Sequence, residues 1–180
     1  MFTKKVLISF LFLLLTLAGC MSNNVNYYKN EEPKLDLVNF FEGKTVGWGI
    51  VQNRSGQVVR RFKVLINGEF NSDVGYLYED FKWSDGITEK RIWKLKKIGT
   101  SMWEGVADDV IGKAKGTISG NTLKWEYILN LKLEDQFIEN INVKFEDWMF
   151  LLDDNLLMNQ AVFSKFGIQL GSITITFLKK

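Results

Sequence analysis

Leu123-Lys124-Trp125-Glu126-Tyr127-Ile128-Leu129-Asn130-Leu131-Lys132-Leu133 decides how the chain folds. Leu123, Trp125, Tyr127, Leu129, Leu131 and Leu133 recur at every second position, and Lys124, Glu126, Asn130 and Lys132 stand between them. Successive side chains of a strand point to opposite sides of a sheet, so this stretch reads as a half-buried strand with one apolar and one wet face. The same alternation sets Ile87, Arg91, Trp93 and Leu95 against Lys90, Lys94 and Lys96, and Ile173, Ile175 and Phe177 against Thr174 and Thr176. Turn pairs punctuate these runs at Ser55-Gly56, Asn67-Gly68, Asp85-Gly86, Gly120-Asn121 and Asp154-Asn155. From Thr45 onward the spacing predicts eight or nine antiparallel strands in an all-β fold. A meander of that length closes on itself, because closure removes unpaired edges, and the simplest product is a single up-and-down barrel. Such barrels either fill with side chains or hold one small ligand. Before the first strand, Leu35-Asp36-Leu37-Val38-Asn39-Phe40-Phe41 predicts a short helical turn.

Composition excludes several functions. The chain has 180 residues, 46% of them hydrophobic and 14% aromatic, with one cysteine and no histidine. Histidine-dependent nucleophile systems, histidine general bases and the usual zinc sites therefore cannot be assembled from it alone, and an intramolecular disulfide is impossible. A charged fraction of 24% beside abundant aromatics argues for one folded domain.

At the N-terminus, Lys4 and Lys5 precede thirteen apolar-rich residues, 6–18, followed by Gly19 and Cys20. That stretch falls short of the roughly 20 residues of a spanning helix and reads as a cleaved export signal. Leu17-Ala18-Gly19-Cys20 resembles the lipobox of bacterial lipoproteins, which implies lipidation of Cys20 and cleavage just before it. The expected organisation is a signal over 1–19, a lipidated flexible tether over 20–34 that contains Pro33, and a barrel domain over 35–180. Loss of Lys4 and Lys5 brings the formal charge from +2 to zero, so attraction to nucleic acid has no support. Met21 after the cysteine, by resemblance to lipoprotein sorting rules, implies the periplasmic face of the outer membrane.

Four segments taken in order resemble a family of proteobacterial lipoproteins known as domain of unknown function 3833: the stretch from Arg54 through Ser55 and Gly56 to Phe62, Ala107-Asp108-Asp109-Val110-Ile111-Gly112, Asp147-Trp148-Met149, and Ser164-Lys165-Phe166-Gly167-Ile168. The resemblance runs from about Leu35 to the end and implies a lipocalin-like barrel without assigning an activity. Phe41-Glu42-Gly43-Lys44-Thr45-Val46-Gly47-Trp48 also resembles the lipocalin opening, although Gly47 abuts Trp48 directly.

Two guanidiniums fall on apolar strand faces, Arg60 with Val58, Phe62, Val64 and Ile66, and Arg91 with Ile87, Trp93 and Leu95. Each either holds the acidic head of a fatty acid or phospholipid, or is neutralised internally by Glu104, Asp108 or Asp147. Trp93, Trp125 and Tyr127 either fill the core or line the tail of such a ligand. Trp103 and Trp148 stand among mixed neighbours, which predicts a rim or contact surface. Asp108-Asp109, ahead of Gly112, Ala114 and Gly116, is the most enzyme-like segment, yet it lacks the spacing of a calcium loop, and no metal, cofactor or nucleotide site is expected. Three functions are compatible with this pattern: a carrier of a lipophilic ligand, a filled barrel that docks an envelope protein, and a lipid-modifying enzyme working through Asp108, Asp109 or Asp147.

Overall fold

The computed structural model describes residues 24–132 and 140–180. Its strands are β1 (Gly43–Asn53), β2 (Val58–Asn71), β3 (Val74–Trp83), β4 (Thr88–Lys97), β5 (Met102–Val106), β6 (Val110–Ser119), β7 (Thr122–Lys132), β8 (Asn140–Asp153), β9 (Leu156–Lys165) and β10 (Ile168–Lys179). Each pairs antiparallel with its sequence neighbour, and β1 pairs with β10 to close the barrel. The fold is thus the all-β, up-and-down barrel that alternation predicts, with ten strands in place of eight or nine.

Two kinds of turn account for the undercount. Gly56, Gly86 and Gly120 take φ of +82°, +89° and +60° at hairpin tips, where the missing Cβ relieves the left-handed backbone. Ser72 adopts φ of 54° in the β2–β3 turn, which has no glycine and so carries no such signal, whereas the β9–β10 turn sets Phe166 at 52° before Gly167 at +78°. Conversely, Asn67-Gly68 is no turn. It lies inside β2, where Gly68 pairs with Gly43 and Leu77. A Cβ at Gly68 would collide with the Phe41 carbonyl, so the glycine serves close approach of the helical cap to the sheet.

That cap, α1 (Leu37–Phe41), starts at Asp36, whose carboxylate accepts a 2.8 Å hydrogen bond from the Asn39 backbone N–H. Leu37, Phe40 and Phe41 are buried, with Phe41 edge-on to Phe177 at 5.9 Å. Lys179 donates to the carbonyls of Asn39 and Glu42, tying the last strand to the end of the helix. One barrel end is thereby plugged with apolar side chains. Of the expected tether over 20–34, the described part from residue 24 packs on the barrel. Val25–Tyr28 forms a 3-10 turn, Val25 is buried, Tyr28 packs edge-on against Phe150 at 5.4 Å, and the Leu35 N–H donates to the Gly120 carbonyl. Aromatic packing thus fixes this polar stretch to the outer wall beside the plugged end. Residues 1–19, Cys20 and Leu133 lie outside the described residues.

Inward positions follow the alternation: Leu123, Trp125, Tyr127 and Leu129 of β7 join Val143, Phe145, Leu157, Ala161 and Phe177 in one apolar core. Inside, Gly105 of β5 and Gly116 of β6 are small because Trp125 occupies the space a Cβ would need, and Ala114, on the same parity as Gly116, is fully buried. This crowding explains the small residues after Asp108-Asp109, whereas Gly112 sits at φ +73° in the irregular part of β6.

Candidate functional site

A cavity of about 770 Å³ occupies the barrel interior. Its wall is mostly apolar and aromatic, and includes Phe62, Phe81, Trp93, Trp125, Tyr127 and Phe145. Trp93 meets Tyr127 edge-on at 5.5 Å and Trp125 at 6.0 Å, while Tyr127 stacks on Phe145 at 5.1 Å. Alternation places these rings inside, since each occupies the inward parity of its strand.

Polar groups interrupt the wall in one band. Glu79 of β3 stands directly opposite Arg91 of β4, and Arg91 Nη2 lies 2.8 Å from Asp109 Oδ2 in the β5–β6 turn. Further in, the Tyr127 hydroxyl donates to Asp147 Oδ2 at 3.3 Å, and Asn159 of β9 adjoins that carboxyl. Asp147 is 5% exposed and Asn159 2%. Among the described residues, Glu79 Oε2, Asp109 Oδ1, Asp147 Oδ1 and Asn159 Oδ1 are buried without a hydrogen-bond partner. The band thus holds one guanidinium, paired with Asp109, against three carboxyls, and four acceptor oxygens are left over.

The electrostatics follow from burial. Desolvation pushes Glu79 up to about 7, against the pull of Arg91 and with help from the charge of Asp109. Desolvation likewise carries Asp147 to about 7, opposed by hydrogen bonds from Tyr127 and Asn159. Burial also drives the Tyr127 phenol well above its ordinary value, reinforced by Asp147. For Arg91 burial works the other way, yet the carboxylates, Glu79 foremost, outweigh it and raise its pKa.

Arg60 lies nearer the barrel end that carries the β1–β2 and β3–β4 turns, opposite to α1. Its Nε is 2.5 Å from Asp85 Oδ2 and its guanidinium sits 4.0 Å over the Trp83 ring. The hydrogen bond from Arg60 holds the Asp85 carboxyl below its usual value.

These placements correct the sequence reading in three respects. Neither arginine pairs with Glu104, Asp108 or Asp147: Arg60 takes Asp85 and Arg91 takes Asp109. Glu104 faces outward and pairs with Lys113 at 2.6 Å, because its parity opposes that of Trp103. Trp103 is no rim residue, being 2% exposed inside the barrel and edge-on to Phe70 at 6.3 Å. Trp148 does face out, but Tyr28 covers it, leaving it 9% exposed. Asp108 lines the cavity beside Asp109, and Arg91, Trp93, Trp125 and Tyr127 share the cavity wall.

Glu79 and Asn159 went unnoticed in the sequence. Their signal is an odd polar residue on an apolar parity, Leu77-x-Glu79-x-Phe81 and Leu157-x-Asn159-x-Ala161. The register that sets Glu79 opposite Arg91 is a tertiary fact.

A closed antiparallel barrel with an internal cavity is a lipocalin-like protein by fold. The chain belongs to the family described as protein of unknown function (DUF3833), which it matches over residues 14–179. No curated protein matches it in sequence. An S-type phycobiliprotein lyase, CPES from Guillardia theta, superposes with a TM-score of 0.58 at 11% identity, covering 81% of this chain and 93% of the lyase. EF1p2_mFAP2b bound to DFHBI reaches 0.43 at 10% identity, covering 79% of this chain and 96% of its own.

Proposed function

We propose that this protein binds a small lipophilic molecule in the barrel without turning it over. The cavity carries this reading: about 770 Å³, walled mainly by apolar and aromatic groups with a few convergent polar ones, is the size and lining of a small-molecule site. The barrel likeness to a phycobiliprotein lyase is compatible with an occupied interior. The docking alternative loses the residues on which it rested, because Trp103 and Trp148 are covered. Catalysis by Asp109 or Asp147 is disfavoured by their engagement with Arg91 and Tyr127. A fatty-acid or phosphate head also loses support, since both arginines already hold carboxylates. Native mass spectrometry of protein purified without added lipid, followed by extraction, tests the reading. A discrete extra mass that extracts into organic solvent is expected, and a clean unliganded mass in repeated preparations overturns it.

The proposal includes a lipid anchor at Cys20 in the outer membrane's periplasmic leaflet. Asn24, four residues on, lies beside the plugged end, so the anchor would hold that end toward the bilayer and turn the mouth away. Acyl chains contribute about 0.8 kcal/mol per buried methylene, so a Cys20→Ser variant should leave the membrane fraction or persist as uncleaved precursor. Tight membrane association of a cleaved serine variant contradicts the anchor.

A further inference from the structure

We infer that the cavity selects a lipophilic ligand with a cationic nitrogen head, an alkylammonium-like amphiphile, held by Glu79, Asp109 and Asp147 and flanked by Trp93 and Tyr127. The inference rests on the binding role proposed above and specifies the chemistry of the occupant. Three observations converge on it. First, the polar band is rich in acceptors: Glu79 Oε2, Asp109 Oδ1, Asp147 Oδ1 and Asn159 Oδ1 are buried and lack a donor among the described residues. A buried acceptor without a donor costs about 1–3 kcal/mol, and a ligand that brings N–H groups or positive charge removes that cost. Asp147 and Asn159 line the cavity and are themselves more than nine-tenths buried, so these two acceptors belong to a built interior, while Glu79 and Asp109 are half-buried.

Second, charge is unbalanced. Arg91 is the cation within the band, and Glu79, Asp109 and Asp147 face it from β3, the β5–β6 turn and β8. Nearer the mouth, Arg60 is matched by Asp85, and Lys90 pairs with Asp80 at 3.1 Å. Glu89 accepts from the Trp83 indole at 2.9 Å, and Asp108 adds a further carboxylate. A carboxylate or phosphate head would enter a site that already holds more negative than positive groups, and a cation would complete it. Burial holds the Glu79 and Asp147 carboxyls high, and a second positive charge beside them would favour the ionised form of both.

Third, the walls suit a cation. The ring faces of tryptophan and tyrosine attract positive charge, and an aromatic enclosure beside carboxylates is the arrangement that recognises quaternary ammonium groups. Trp93 already lies 5.9 Å from the Arg91 guanidinium. The remaining apolar wall, Leu129, Phe145, Ile175 and Phe177 among it, provides for an alkyl or aromatic tail.

The test titrates the purified full chain, by intrinsic tryptophan fluorescence below the micelle concentration, with three probes of equal tail: dodecyltrimethylammonium, dodecanol and dodecanoate. At about pH 8, where Glu79 and Asp147 are ionised, the ammonium should bind at least about ten-fold more tightly than the alcohol, and dodecanoate most weakly. Near pH 5 protonation of Glu79 and Asp147 should shrink that preference several-fold. Asp147→Asn and, separately, Glu79→Gln should each reduce ammonium affinity about five-fold or more and dodecanol affinity by a smaller factor, because only the charged head loses an ion pair. If dodecanol or dodecanoate matches the ammonium, or if the preference survives both substitutions, the cationic-head inference is wrong while the carrier reading stands. Failure of all three probes to bind overturns the carrier reading itself.

Discussion

Glu146 and Asp147 are consecutive carboxylates of one strand, and they live in opposite surroundings. Glu146 points outward into a quartet with Lys124, Lys144 and Glu126, where lysine nitrogens lie 3.2–3.9 Å from carboxylate oxygens in a two-by-two balance. Asp147 points inward, where Arg91 pairs with Asp109 and stands as the one cation near three carboxyls. The pKa shifts follow. Burial alone would raise Glu126, but Lys124 and Lys144 outweigh it and its value falls, whereas burial wins at Asp147 and lifts it to about 7. Parity along a strand thus separates charge that decorates a surface from charge kept unbalanced in a cavity. The outer set is arranged as a folding accessory, and the inner set, in which we propose ligand recognition, costs stability.

Removing the inner cation should break this contrast most severely. Arg91→Met leaves Glu79 and Asp109 facing the cavity without their guanidinium, and should destabilise the protein by about 3 kcal/mol at neutral pH, somewhat less than for a fully buried pair because the guanidinium is partly exposed. Urea denaturation reads the loss. Near pH 5, where Glu79 takes up a proton, part of it should return. A loss below about 1 kcal/mol that is indifferent to pH would mean the carboxyls are not held by Arg91 at all.

Next in size is the pH dependence of the intact protein. Glu79 and Asp147 titrate near 7 in the fold, against ordinary values of 4.5 and 3.8. Between about pH 4 and 7 the native state therefore holds protons that the unfolded chain has released, so stability is greatest at the acid side of that window and declines as pH rises through 7. Asp85 and Glu126, whose values are lowered, act oppositely and withdraw support only below about pH 4. Stability should thus peak near pH 5, and Asp147→Asn should flatten the fall toward pH 8 by on the order of 2 kcal/mol. An unchanged slope in that variant would remove Asp147 from the account. Tyr127→Phe, which deletes the 3.3 Å hydrogen bond to Asp147, should cost about 1 kcal/mol and displace the midpoint of that pH profile upward. A profile left in place would show that the phenol contributes packing alone.

Much of this was legible before any coordinates, and the misses are instructive. The inward parity of Trp93, Trp125, Tyr127 and Leu129 follows from alternation, because the same period governs pleat and pattern. Asn67-Gly68 misleads because glycine in a turn and glycine under a helical cap look alike in one dimension. Arg60 and Arg91 were visible as charges on apolar faces, but their partners were not. Asp85 sits in a turn, Asp109 in another, and Glu79 reaches Arg91 through β3–β4 register. Trp103 and Trp148 were misplaced for related reasons. Five-residue β5 is too short to declare its parity, and Trp148 is covered by Tyr28 from a segment whose polar composition reads as tether.

The outer quartet supplies the smallest effect and the sharpest control. Lys144→Ala removes contacts of 3.2 and 3.9 Å to Glu126 and Glu146, leaving Lys124 to serve both. The Lys144 side chain is 56% exposed, so solvent and salt screen what is lost, and the cost should be about 0.3 kcal/mol at low ionic strength and vanish near 1 M salt. Ligand affinity should not change, because the sheet stands between this lysine and the cavity. A larger, salt-resistant loss, or a change in probe binding, would show that the two faces of β7 and β8 are energetically coupled, and the separation of charge by strand parity would then be incomplete.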